Sequence, residues 1–95
     1  MKYLAFSRHF QRQFDKLAEE EKAVVRSSLK ELLEAIKTKQ FPAGLGFKKI
    51  NGDKFEIRVS IRLRVALKLD GETLVCHVVG NHESIKRYLR DYRAS

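Results

Sequence analysis

The stretch from Phe55 to Leu69, FEIRVSIRLRVALKL, alternates apolar and polar side chains almost without interruption. Phe55, Ile57 and Val59 form one apolar row, and Ile61, Leu63, Val65, Leu67 and Leu69 form a second, while Glu56, Arg58, Ser60, Arg62, Arg64, Ala66 and Lys68 point the other way. Both apolar rows fall on odd numbers. If the chain folds back near Ile61, only pairings whose residue numbers sum to an even value bury both rows together. A three-residue connection, Ser60 to Arg62, meets that condition and sets Arg58 opposite Arg64 and Glu56 opposite Ala66. Like charges facing each other across a ladder are destabilising. Two cations held there by register, with a carboxylate one pleat away, predict a site that expects an anion.

The elements around this hairpin are short and must share one core, so residues 1–95 are expected to form a single domain. One proline and five glycines argue against a linker-rich or disordered chain. Lys2 to Phe6 reads as a strand, and Ser7 caps a helix that carries Phe10, Phe14 and Leu17 on the same face as Phe6. A second helix begins at the acidic run Glu19 to Glu21 and ends near Lys37 and Lys39, as the helix dipole prefers, with Val25, Leu29, Leu32, Leu33 and Ile36 as its apolar face. Pro42, Gly44 and Gly46 end the helical region. Phe47 to Ile50 reads as a strand followed by an Asn51-Gly52-Asp53 turn. Asp70-Gly71 is a two-residue hairpin signal. It leads into Thr73 to Val79 and sets Leu67, Val65 and Leu63 opposite Leu74, Cys76 and Val78, with Arg64 opposite His77. That last strand carries little charge and is expected inside the sheet. Asn81 can cap a closing helix with Ile85, Leu89 and Tyr92 as its apolar positions and Lys86, Arg87, Arg90 and Arg93 as its basic ones.

The sum is an α+β fold, with an N-terminal strand and a helical hairpin packed on one face of a mainly antiparallel twisted sheet and a short basic helix at the end. A formal charge of +8 implies attraction to polyanions, nucleic acid first and an anionic membrane surface second. Cys76 is the one cysteine and lies in an apolar run, which reads as core filling in a reducing compartment. The apolar run in MKYLAF is too short for a signal peptide, and no stretch approaches a membrane span, so a cytoplasmic protein without a membrane partner is expected. Histidines at positions 9, 77 and 82 are scattered, and no metal site or other cofactor is expected.

The order of elements, together with Leu45-Gly46-Phe47-Lys48-Lys49-Ile50-Asn51-Gly52, Phe55-Glu56-Ile57-Arg58-Val59, Arg64-Val65 and Val79-Gly80-Asn81-His82 with Tyr88, resembles the RelE/ParE superfamily of bacterial toxin-antitoxin toxins from Tyr3 to about Tyr92. The resemblance implies the toxin component of such a system, held inactive by a cognate antitoxin protein in a complex that is often oligomeric. RelE-like members are ribosome-dependent endoribonucleases that cut messenger RNA, whereas ParE-like members inhibit DNA gyrase without an obvious catalytic set. Carried over by position, the RelE-like working residues fall on Glu56, Arg58, Arg64, His82 and Tyr88. Glu56 stands where RelE has lysine, and His82 stands where it has arginine. A glutamate, arginine, histidine and tyrosine set is similar instead to the YoeB branch.

Cutting RNA without a metal requires deprotonating a 2′-hydroxyl, stabilising a phosphorane and protonating the departing 5′-oxygen. Arg58 and Arg64 suit the middle task, since a guanidinium clamps two phosphate oxygens at once. Glu56 or His82 is the candidate base, and Tyr88 or His82 the candidate acid. Lys48, Lys49, Arg62, Lys86, Arg87 and Arg90 are expected to hold the RNA backbone. The alternatives are a solvated strand face for Arg58 and Arg64, a helix-start residue for His82, packing for Tyr88 and a structural role for His77. At the level of the molecule they are a gyrase inhibitor, or a basic RNA-binding module whose catalytic set has decayed.

Overall fold

The computed structural model describes residues 1–92, with side chains described through Arg90, so the side chain of Tyr92 and the whole of Arg93 lie outside the described residues. The elements run β1 (Tyr3–Phe6), α1 (Arg8–Asp15), α2 (Glu19–Thr38), a short 3-10 turn (Ala43–Leu45), β2 (Lys48–Asn51), β3 (Lys54–Arg58), β4 (Arg64–Asp70), β5 (Thr73–Gly80) and α3 (His82–Tyr92). Each helix starts where its local chemistry allows. Ser7 is extended, and its Oγ accepts the Phe10 N–H at 3.0 Å. Ahead of α2 the Ala18 N–H donates to Glu21 Oε1 at 3.1 Å, and Asn81 Oδ1 accepts the Ser84 N–H at 2.9 Å at the start of α3. α2 ends on Lys39, which takes the left-handed conformation (φ 64°) and sends its ammonium to the Met1 carbonyl at 2.9 Å.

The five strands form one mixed sheet in the order β1-β5-β4-β3-β2, in which β1 runs parallel to β5 and every other pair is antiparallel. β5 is therefore internal, as its lack of charge predicts. One face carries the main core, where Phe10, Val25, Leu32 and Ile36 from the helical hairpin meet Ile57, Val65, Leu67, Leu74, Cys76 and Val79. The other face is covered in part by α3, whose Ile85 and Tyr88 pack on Ala66 and Val78. Burial pushes the Cys76 thiol far above its ordinary range, which suits a core filler. Among the described residues no helix is long and apolar enough to cross a membrane.

The β3–β4 register is the one predicted by parity, with Arg58 opposite Arg64 and Glu56 opposite Ala66. The register of β5 is not. Its turn is Gly71-Glu72, with Gly71 at φ 62°, so Asp70 pairs with Thr73 and Leu67 with Cys76. A bulge then leaves His77 as the extra residue, and Ala66 pairs with Val78, Val65 with Val79 and Arg64 with Gly80, not with His77. The bulge switches Val78 to the α3 face and returns Val79 to the main core. Two assignments to the core also change. Leu33 is exposed, and Phe6 belongs to β1 and stays 43% exposed while stacking on Phe10 at 5.6 Å.

Candidate functional site

The even-numbered residues of β3 and β4 share the face that α3 leaves partly open. A stack of Phe41, Phe47 and Phe55, with ring centroids 4.5 and 5.2 Å apart, fastens the segment before β2 to the opposite side. This sets Lys48 beside Glu56 and brings the 3-10 turn against Arg58. Gly46 closes that turn at φ +65°, and a Cβ there would sit 3.0 Å from the Cβ of Arg58. Gly46, Lys48, Glu56, Arg58 and Arg64 thus line a single open cleft of about 240 Å³.

Glu56 is 4% exposed, and its Oε2 lies 3.2 Å from Arg64 Nη1 and 3.6 Å from Lys48 Nζ. Arg58 is exposed, and among the described residues it pairs with no carboxylate. Three cations against one carboxylate leave the cleft positive, and Arg58 and Arg64 stand opposite each other in the ladder. Such an arrangement can grip a phosphate from two sides. Larger grooves of about 340 and 420 Å³ lie beside the helices, but the first gathers one cation and the second none.

Of the residues predicted from sequence, the structure brings Glu56, Arg58 and Arg64 together and adds Lys48 to them. His82 and Tyr88 do not line the cleft. His82 is exposed at the first position of α3. Tyr88 is buried, packed in the cluster with Ala66 on the same face as Glu56 and stacked on His77 at 5.8 Å. Arg62 is exposed at the hairpin tip, and Lys86, Arg87 and Arg90 are exposed on α3. Lys49 pairs with Phe55 and so projects to the other face of the sheet from Lys48.

Sequence reasoning passed over a second group on the cleft's face. Lys54 is 3% exposed and stands opposite Lys68, and both reach Asp53, at 3.5 and 3.9 Å. The parity that pairs Arg58 with Arg64 also pairs these lysines, so the signal was present. His77 is held below its ordinary pKa, first by burial and then by the positive neighbours Lys68, His9 and Lys54. Among the described residues no three His, Cys, Asp or Glu side chains cluster as metal ligands would.

This sheet order, with a helical hairpin on one face and a short helix on the other, defines a class: the fold is that of the RelE-like toxins of toxin-antitoxin systems. No protein-family model matches the chain, and no curated protein matches it by sequence. Solved structures do. The chain is similar to the isolated Escherichia coli RelE toxin, with a TM-score of 0.59 and 18% identity over 99% of this chain and 98% of that one. It is similar to a structure of the RelB-RelE antitoxin-toxin complex from Methanococcus jannaschii (TM-score 0.66, 19% identity, 88% and 96% covered) and of the E. coli DinJ-YafQ toxin-antitoxin complex (TM-score 0.67, 16% identity, 90% and 98% covered). At these identities the likeness is one of fold.

Proposed function

We propose that this chain is the toxin of a toxin-antitoxin system and acts as an endoribonuclease on messenger RNA engaged by the ribosome. The observation that carries this reading is the cleft itself, where Lys48, Arg58 and Arg64 converge around one buried carboxylate. The RNA phosphate sits between the two guanidinium groups, which stabilise the charge gained as the 2′-oxygen attacks phosphorus and the 5′-oxygen departs. Glu56, with Oε2 already engaged by Arg64 and Lys48, spaces those cations and is a positioning group. His82, which lies outside the cleft in the free protein, is the residue we assign to proton transfer. Brought to the phosphate when RNA binds, its imidazole takes the 2′-hydroxyl proton and returns one to the departing 5′-oxygen, a task it suits at neutral pH. Tyr88 holds α3 against the sheet and so sets where His82 lies. Lys86, Arg87 and Arg90 extend the positive surface along α3 for the RNA backbone. A cognate antitoxin silences the molecule by covering this basic face.

One observation favours a second reading. Because His82 and Tyr88 do not line the cleft, a protein that binds its target without cutting, as a gyrase inhibitor does, is also compatible with it. Expression of the native chain, Arg64→Ala and His82→Ala at equal abundance, with 5′ ends of messengers mapped by primer extension, separates the two. The nuclease reading predicts growth arrest and new ends in translated messengers for the native chain, and loss of both in Arg64→Ala and in His82→Ala. Arrest without new ends in any of the three chains would replace it with the binding reading.

A further inference from the structure

The hairpin between β3 and β4 ends in an apolar tip. Ile61 is 95% exposed, more than any other large hydrophobic side chain among the described residues. Single exposed aliphatic side chains are common, but this one stands on a fixed turn. The N–H groups of Val59 and Ser60 both donate to the Leu63 carbonyl, at 2.9 and 3.1 Å, and Ser60 Oγ accepts the N–H groups of Arg62 and Leu63, at 3.3 and 3.1 Å. A turn held by four hydrogen bonds keeps Ile61 from folding back onto the sheet.

The surroundings of the tip indicate what it meets. Every charged residue from Arg58 to Lys68 is cationic. Arg58 and Arg64, the last pair of the ladder below the tip, are the guanidinium groups of the cleft. Ile61 lies three residues past each of them, and because even fully extended chain spans about 3.3 Å per residue, the turn holds it no more than about 10 Å beyond them. That limit is about three nucleotides of a stacked strand, at about 3.4 Å apiece, so the tip meets a base within two to three nucleotides. An aliphatic side chain on a rigid projection flanked by arginines has the make-up of the wedges that proteins press between bases. Every base offers an apolar face, so the contact does not depend on sequence. A pocket on a protein would also accept an isoleucine, but an unbroken run of cations around it favours a polyanion.

We propose that Ile61 is a wedge for single-stranded RNA, packing against a base two to three nucleotides from the phosphate in the cleft, with Arg62 holding the backbone beside it. This rests on the RNA-binding reading given above. The test uses ribosomes programmed with a messenger that carries 2-aminopurine at successive positions of the exposed codon and the next one, with 2′-O-methyl sugars to prevent cutting. Binding is followed by co-sedimentation and base unstacking by fluorescence. The native chain should bind and raise the fluorescence at one or two adjacent positions. Ile61→Ser should lose that rise at saturating protein while its affinity falls about five-fold, less than the full burial of an isoleucine side chain would supply, and Ile61→Leu should keep the rise. Binding by the native chain without a change at any position would overturn the wedge and leave RNA binding standing. An unaltered rise in Ile61→Ser would also overturn it. A native chain that does not bind would remove both readings.

Discussion

Glu56 shows how one side chain organises several cations. It is the single carboxylate among three positive groups in the cleft, and it is buried where an unpaired charge would be costly. Its ion pair with Lys48, whose side chain is 63% exposed, contributes little, whereas Arg64 at 22% exposure is the stronger partner. Removing the carboxylate takes from Arg64 its ion-pair partner and leaves it opposite Arg58 in the ladder. Glu56→Ala should therefore destabilise the fold by about 1–3 kcal/mol in urea unfolding, and Glu56→Gln, which keeps the volume and can still accept a hydrogen bond, should lose less. Equal stability of Glu56→Ala and the native chain would show that the buried pair with Arg64 adds nothing to the fold. The two arginines and this glutamate were legible from sequence because parity alone puts them on one face. Gly46 was legible as a helix terminator and as part of the stretch that carries the family resemblance, but not as a neighbour of Arg58. Its contact with Arg58 depends on how the 3-10 turn folds across the sheet, and no local pattern announces that.

Among the elements, β4 separates what sequence could give from what it could not. Its pairing with β3 follows from two apolar rows of the same parity, since a one-residue slip would turn one row to the wrong side. Its pairing with β5 contains a bulge, and a bulge erases parity at the point where it occurs. In Val75 to Val79 several residues are apolar enough for either face, so the pattern could not say where the extra residue lies. The structure also shows why β5 can extend past the end of β1. Beyond Cys76 its free edge is taken over by α1, whose Gln13 Oε1 accepts the Val79 N–H at 3.0 Å. Val79 precedes Gly80, which stands opposite Arg64. In Gln13→Ala that amide should lose its partner, with faster hydrogen exchange at Val79 and a loss of about 1–3 kcal/mol. Exchange at Val79 as slow as in the native chain would mean that another group takes over the edge.

Across the whole molecule, the two faces of the sheet have different sensitivities. The helical hairpin covers its face with apolar side chains, whereas α3 covers the other beside buried or half-buried ionisable groups. His77 stacks on Tyr88 there, with Lys68, His9 and Lys54 near it and Asp53 joining the two lysines. Its folded pKa is depressed, so the unfolded chain takes up the proton first as pH falls. The contribution of His77 is therefore full above the ordinary histidine value of about 6.5 and declines as pH drops from there through the depressed value. The unfolding midpoint should fall with pH across that window, and His77→Phe, which keeps a ring against Tyr88, should flatten the slope. A slope unchanged in the variant would assign the pH response to other groups. The parallel pairing of β1 with β5 joins residues seventy positions apart, such as Tyr3 and Thr73. Closing so long a loop is slow and can begin only once residues 73–80 have left the exit tunnel. A chain whose proposed target is translation therefore cannot complete its sheet while residues 73–80 are still inside the ribosome, and the machine that makes it is spared until then.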